Sequence, residues 1–245
     1  MNTPILPPYP TQDSWLDKVQ AAIEVLLLSG IVSGFFAALP FSLQTQNHTS
    51  GILMDTRLVS ASILLEAWIF FVLLWLVLRL HRETLLDLGL RLARWRAEAI
   101  VGVALVPILF VSNLIVAAGF RYLLPEHYLD RNPLTQIIRT SADLVLFIAS
   151  ALIAGGIKEE LQRAIILTRF RQHLGGSSVG LVVWSLAFGA QHYVQGLQGI
   201  VAATLFGFLF GAVYLARRNI VGPIVAHGLY DTVALLGYWF TRHNL

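Results

Sequence analysis

Residues 58–80 read LVSASILLEAWIFFVLLWLVLRL, and this stretch decides the fold class. A helix needs about 20 predominantly apolar residues to cross the hydrocarbon core of a bilayer, and this run is long enough. It contains a single carboxylate, Glu66, and its one cation, Arg79, stands near its end. A helix that is apolar on every side is typical of a membrane span rather than of the surface of a soluble domain.

Similar apolar runs lie on both sides of this stretch. The sequence therefore predicts an all-α, polytopic membrane helix bundle with about seven transmembrane helices, built as a single domain over residues 1–245. The last four runs are rich in glycine and carry polar groups, which favours a place inside the bundle. The runs lie at residues 19–43, 58–80, 98–122, 142–172, 178–194, 198–216 and 220–240.

The composition excludes a water-soluble enzyme. Hydrophobic residues make up 56% of the chain and charged residues 13%, and the mean hydropathy is +0.70. Soluble domains are about one quarter charged, so this chain could not cover a solvated surface. The net charge of +3 comes from basic residues in short segments between apolar runs, which argues against nucleic-acid binding. The chain has no cysteine, so disulfides and thiolate nucleophiles are excluded.

The connections predict an orientation. With the N-terminus in the cytoplasm and the C-terminus outside, ten basic residues fall on the cytoplasmic side and five on the other, as the positive-inside rule requires. We expect an integral protein of a bacterial inner membrane. Residues 81–99, HRETLLDLGLRLARWRAEA, predict an amphipathic helix on the cytoplasmic surface, with a solvated connector as the alternative.

Ionisable groups gather in the C-terminal half, where each costs at least about 2.5–3.5 kcal/mol inside a bilayer unless it has a partner or a task. They lie in GGIKEELQRAIILTRF (residues 155–170), in WSLAFGAQHYVQG (residues 184–196) and in GPIVAHGLYDTVALLG (residues 222–237). Helical rise places these groups between about 11 and 21 Å from the cytoplasmic ends of three helices. We therefore expect them to converge.

Their spacing places groups on common helix faces. An interval of four predicts an ion pair between Glu159 and Arg163. A buried glutamate near two imidazoles is typical of general-base activation of water, with imidazole N–H groups to stabilise an oxyanion. The same interval of four separates Phe188 from His192 and His227 from Asp231.

These motifs resemble those of the CAAX-protease and bacteriocin-processing family of intramembrane endopeptidases, also called type II CAAX prenyl endopeptidases. The family shows a double-glutamate motif followed by Arg, then FxxxH, then HxxxN or HxxxD. The resemblance covers a protease-like core of about residues 140–235. It implies that Glu159 and His192 activate water and that His227 and Asp231 bind the oxyanion, with Arg163 and Phe188 in support. The matching residues are Glu159, Glu160, Arg163, Phe188, His192, His227 and Asp231.

One departure leaves two alignments open. The family pattern is EExxxR, whereas this chain has EExxR. Aligning Arg163 puts Lys158 at the first, catalytic glutamate of the family, and aligning Glu159 shifts the arginine. We take Glu159 as the base, with Glu160 as the alternative. Glu66 is expected to face a polar interior, and Lys158 to form a salt bridge or to reach the interface.

The predicted function is hydrolysis of a peptide bond in a membrane-proximal or prenylated substrate, without a cofactor. A zinc ion at His192, His227 and Glu159 is the alternative mechanism. The partners are membrane lipid and a peptide or protein substrate, and the sequence sets no oligomeric state. The alternatives to an enzyme are an inactive scaffold or immunity protein of the same fold and a proton-coupled transporter.

Overall fold

The structure, a computed structural model, describes residues 14–45 and 55–242, apart from the side chains of residues 40–45. The described residues form helices and connecting turns without a β-strand, which confirms the all-α prediction. The main helices are α1 Trp15–Leu28, α2 Ile31–Thr45, α3 Thr56–His81, α4 Trp95–Leu123, α5 Ser141–Ala151, α6 Glu160–His173, α7 Ser177–Gln191, α8 Gly196–Arg217 and α9 Val221–Thr241.

Each of the seven predicted runs corresponds to one helix or to helices joined end to end. Five helical stretches in the described part of the chain are long and apolar enough to cross a membrane. The chain is therefore an integral membrane protein. Helix α7 is apolar but shorter, and α9, which carries His227 and Asp231, is not among the five. The five are Trp15–Leu39, Thr56–His81, Leu92–Leu123, Ser141–His173 and Tyr193–Arg217.

The first predicted run is not one continuous helix. It breaks between α1 and α2, where Gly30 has a φ of +92°, a conformation that L side chains rarely adopt. The Leu28 carbonyl, which has no helical partner at the break, accepts a hydrogen bond of 2.6 Å from Gln162 Nε2 of α6. The break therefore joins the N-terminal helices to the helix that carries the first motif.

The prediction of an amphipathic surface helix at residues 81–99 is wrong. Helix α3 ends at His81, and turns follow up to the short 3-10 helix Leu92–Arg94 before α4. The segment is held against the α8–α9 connection instead, because the Gly89 carbonyl accepts a bond of 3.0 Å from the Ile220 N–H. Gly89 has a φ of +89° and Leu88 is fully buried, so this backbone packs as a turn.

The predicted helix at 142–172 forms as one continuous helical run, but its middle is a π-helix rather than an α-helix. A π-helical segment, Leu152–Glu159, joins α5 to α6. π-Helical turns are rare, have i→i+5 hydrogen bonds, and occur frequently at functional sites. In this chain the segment ends at the first glutamate of the motif.

Small residues bring the C-terminal helices close together. Gly207 of α8 faces α7, and a Cβ added there would lie 3.0 Å from the Ser185 Cα atom. The small residue therefore lets a neighbouring backbone approach closely. At Gly102 of α4, a Cβ would lie 2.6 Å from the Gly222 carbonyl oxygen of α9. These contacts join α8 to α7 and α9 to α4. The single-domain prediction over residues 1–245 extends beyond the described residues and stays a prediction.

Candidate active site

The π segment and the start of α6 present three consecutive ionisable residues to different neighbours. Lys158 faces α3, where its Nζ atom lies 2.6 Å from Glu66 Oε1. Glu159 and Glu160 both face His227 of α9. The salt bridge confirms the interpretation of Lys158 as an ion-pair partner. It also separates Lys158 from the imidazole that the two glutamates share.

Arg163 pairs with Glu160, so the predicted pair between Glu159 and Arg163 is wrong. Arg163 Nη1 contacts Glu160 Oε2, three residues earlier, and both side chains are almost fully buried. Residues three and four apart are both neighbours on a helix, and Glu160 begins the regular helix after the wide turn that ends at Glu159. The guanidinium lies 4.9 Å from the ring centre of Phe188 and 5.2 Å from that of Phe210. These rings surround a cation that is shielded from water.

His227 is the centre of the site. Its Nδ1 atom lies 2.9 Å from Glu160 Oε1, and its ring stacks on Phe210 with 4.9 Å between the ring centres. Its Nε2 atom lies 3.7 Å from Glu159 Oε2 and 3.8 Å from Asp231 Oδ2. The contact between Nδ1 and Glu160 is a hydrogen bond, whereas the distances from Nε2 to Glu159 and Asp231 are too long for one. His227 is thus fixed through one nitrogen and presents the other to two carboxylates.

Glu159 differs from Glu160 in how its oxygens are used. The Glu160 side chain is 1% exposed and bound on both sides, by Arg163 and by His227. The Glu159 side chain is 20% exposed, and its Oε2 atom is buried without a hydrogen-bond partner among the described residues. Buried polar atoms are nearly always hydrogen-bonded, so this oxygen is open to a further partner. Glu159 has the free oxygen that a base needs.

Gly155 allows His227 and Asp231 to approach the π segment. A Cβ at this position would lie 2.7 Å from Asp231 Oδ2 and 3.3 Å from His227 Nε2. Any side chain would therefore displace both groups. Sequence reasoning missed Gly155, although it belongs to the glycine pair that precedes the double glutamate. It also missed Phe210, which carries no ionisable group and belongs to none of the three motifs.

His192 lies at the C-terminal end of α7, at the first residue after the helix. Its Nδ1 atom lies 2.8 Å from the Phe188 carbonyl, which can only accept, so Nδ1 carries the proton and Nε2 keeps a lone pair. In the described ranges, no carboxylate lies within ion-pair distance of this ring. Its link to the centre runs through Phe188, whose ring centre is 4.7 Å from that of His192 and 6.4 Å from that of His227.

The structure therefore brings most of the predicted residues into direct contact and places His192 beside them. The described side chains do not gather three or more His, Asp or Glu residues in an arrangement that could hold a metal ion. The alternative of a zinc ion at His192, His227 and Glu159 stays a prediction. The residues in contact are Glu159, Glu160, Arg163, Phe188, His227 and Asp231.

Comparison with known protein families gives a match in the C-terminal half of the chain. Residues 140–233 match the family described as Rce1-like, type II CAAX prenyl endopeptidase. The match contains all three motifs and agrees with the resemblance that they carry. No curated protein and no solved structure matches the chain.

Proposed function

We propose that this membrane protein, whose residues 140–233 are of the Rce1-like type II CAAX prenyl endopeptidase family, is an intramembrane endopeptidase in which Glu159 activates water. The observation that carries the proposal is the buried Oε2 atom of Glu159, which faces His227 and has no hydrogen-bond partner among the described residues. A buried carboxylate oxygen without a hydrogen bond is costly inside a membrane protein, and a catalytic task explains why it is there.

The chemistry is addition of water to a peptide carbonyl. Glu159 takes a proton from water while the oxygen of that water bonds to the carbonyl carbon. The carbonyl oxygen becomes an oxyanion. His227, held at Nδ1 by Glu160, directs an Nε2–H toward that oxyanion when both ring nitrogens are protonated. The proton then passes from Glu159 to the amide nitrogen as the C–N bond breaks. Asp231 orients the His227 ring.

His192 acts from the other side of the pocket in this proposal. Its free Nε2 lone pair can accept a hydrogen bond from the attacking water, because Nδ1–H is bound to the Phe188 carbonyl. The substrate is a membrane-proximal or prenylated peptide, since the groups lie on helices of a membrane bundle. We place the protein in a bacterial inner membrane with its N-terminus in the cytoplasm and its C-terminus outside. The mechanism uses no metal.

The main alternative is an inactive scaffold or immunity protein of the same fold. It rests on the alignment that puts Lys158 at the position of the family's catalytic glutamate. The direction of the side chains supports the other alignment, because Lys158 faces Glu66 on α3 while Glu159 faces His227 on α9. The transporter proposal gains no support from these contacts.

The test is peptide cleavage by the purified protein in liposomes, with prenylated and unprenylated peptides. We expect wild-type protein to cut at least one peptide, and we expect Glu159→Gln and His192→Gln to reduce the rate by about 10²-fold or more. Glu98→Gln, which breaks an ion pair with Arg217 on α8, is the control for loss of a buried carboxylate. Identical behaviour of the wild type, Glu159→Gln and His192→Gln on the whole panel would overturn the proposal. Loss of activity with a chelator and its return with zinc would overturn the metal-free mechanism.

A further inference from the structure

An ion pair outside the three motifs connects the N-terminal helices to the catalytic segment. Lys158 Nζ lies 2.6 Å from Glu66 Oε1 of α3, and the Lys158 side chain is 5% exposed. The same ammonium lies 5.9 Å from the ring centre of Phe70. Placing a buried lysine and a partly exposed glutamate on membrane helices is costly, so the pair is expected to have a task. Glu66 lies outside residues 140–233, the part that matches the family.

Lys158 is the residue before Glu159 at the end of the π segment. A π turn is less favourable than an α turn and persists only where its surroundings hold it. On the α9 side, Gly155 and Gly156 pack closely against His227 and Gly228. On the opposite side, Lys158 is bound to α3. The segment is thus held from two sides, and Glu66 supplies one of the two attachments.

A second contact on the same helix face supports this arrangement. Gln162 follows Lys158 by four residues, so both side chains project from one face. Gln162 Nε2 donates a hydrogen bond of 2.6 Å to the Leu28 carbonyl at the break between α1 and α2. Glu66 Oε1 and Gln162 Nε2 also lie near one residue, since a Cβ added at Gly30 would be 3.5 Å from the first atom and 3.3 Å from the second. The N-terminal helices therefore hold two successive turns of the helix that carries the glutamates.

Glu159 has little of its own to fix its position. Its Oε2 atom has no hydrogen bond from the described residues, and its distance of 3.7 Å from His227 Nε2 depends on where the backbone places it. We propose that Glu66 is a positioning residue: by holding Lys158, it fixes the turn that aims Glu159 at the attacking water. This inference rests on the proposed function, and it gives a role in the reaction to helices that the family match does not cover.

The experiment measures kcat and KM for Glu66→Gln, for Lys158→Met and for the double variant. A misplacement of about 1 Å can reduce a rate by about 10²-fold, so we expect kcat to fall by about 10- to 100-fold. We expect KM to change by less than about threefold, because the substrate-binding groups stay in place. The double variant should lose no more than either single variant, since all three break one attachment.

The ion pair between Glu98 and Arg217 provides the matched control. It also joins two helices, with Arg217 Nε 2.7 Å from Glu98 Oε2, but it does not contact the π segment. We expect Glu98→Gln to lower the thermal stability and to leave kcat per folded molecule unchanged. If Glu66→Gln behaves in the same way, or if the losses in kcat add in the double variant, the positioning role is wrong.

Hydrogen exchange separates the failure of this inference from the failure of the proposed function. We expect Glu66→Gln to speed amide exchange at residues 152–160 by about tenfold or more, and Glu98→Gln to leave it unchanged. Faster exchange in Glu66→Gln, with no cleavage of any peptide by the wild type, would refute the proposed endopeptidase function. It would still support the attachment of the π segment to α3 through Glu66. Unchanged exchange at these residues would overturn the inference, whatever the activity.

Discussion

The helical run of residues 141–173 carries two buried ion clusters, and they differ in how completely their polar atoms are bonded. In the cluster around Arg169, Glu24 binds His81 at 2.6 Å and Arg169 at 2.5 Å. Glu83 receives two hydrogen bonds from the same guanidinium, at 3.0 and 2.7 Å. In the cluster around His227, by contrast, Glu159 Oε2 has no hydrogen-bond partner in the part of the chain that the structure describes.

This difference is the one expected between a structural cluster and a catalytic one. A fully satisfied network specifies packing, and here it joins α1, the end of α3 and α6. A buried carboxylate oxygen that no described group binds is open to a further partner, at a cost in stability. Charge and burial alone do not distinguish the two clusters. The bonding of their carboxylate oxygens does.

The largest expected effect tests this distinction directly. Glu159→Gln should reduce cleavage by about 10²- to 10⁴-fold, because the amide cannot take a proton from water. Thermal unfolding in detergent should change little, since the described residues give Glu159 Oε2 no hydrogen bond to lose and only a 3.7 Å contact with His227. Glu24→Gln is the counterpart and should show the opposite pattern, with lower thermal stability and unchanged cleavage. Equal loss of thermal stability in both variants would remove the distinction.

The next effect is on stability. Arg169→Met leaves Glu24 and Glu83 without their shared cation, and breaking a buried pair costs about 3–5 kcal/mol. Chemical unfolding in detergent should show this loss, while the cleavage rate per folded molecule is retained. A fall in that rate as large as the one in Glu159→Gln would show that the Arg169 cluster also serves the reaction.

A smaller effect is expected from the close approach at Gly155. Gly155→Ala should displace Asp231 and His227, and we expect the cleavage rate to fall by about tenfold through misorientation. Gly237→Ala on α9 is the control, because nothing lies within 4 Å of a Cβ at that position. Should both alanine variants cleave at the wild-type rate, the packing at Gly155 does not set the geometry of the site.

The smallest effect concerns the edge of the Arg169 cluster. His81→Ala removes one hydrogen bond to Glu24, at a partly exposed position, and should lower the free energy of unfolding by about 0.5–1.5 kcal/mol. Cleavage should not change. A loss above about 3 kcal/mol would indicate that the whole cluster depends on this imidazole.

Sequence patterns predicted the helices and the motifs because both depend on local spacing. Apolar length alone gave the seven runs, and the shared interval of four placed His227 and Asp231 on one face. The family motifs named the residues that meet around His227. The role of each of these residues stays a prediction.

The parts that the sequence did not predict depend on contacts between distant segments. The π segment and the break at Gly30 are backbone features that apolar periodicity does not record. The partner of Lys158 lies 92 residues away, and that of the Gly89 carbonyl is Ile220. The predicted pair between Arg163 and Glu159, four residues earlier, is wrong because Glu160, three residues earlier, is also a neighbour of Arg163 on the helix surface.

The shortness of α7 has a consequence for the supply of the second reactant. Its 15 residues rise about 22 Å, whereas the hydrocarbon layer is about 30 Å thick. Lipid beside a short helix thins to match it, so the aqueous phase comes several ångströms nearer to the end of α7 than elsewhere around the bundle. His192 stands at that end. In the proposed endopeptidase, water therefore reaches the site by a shorter diffusion path.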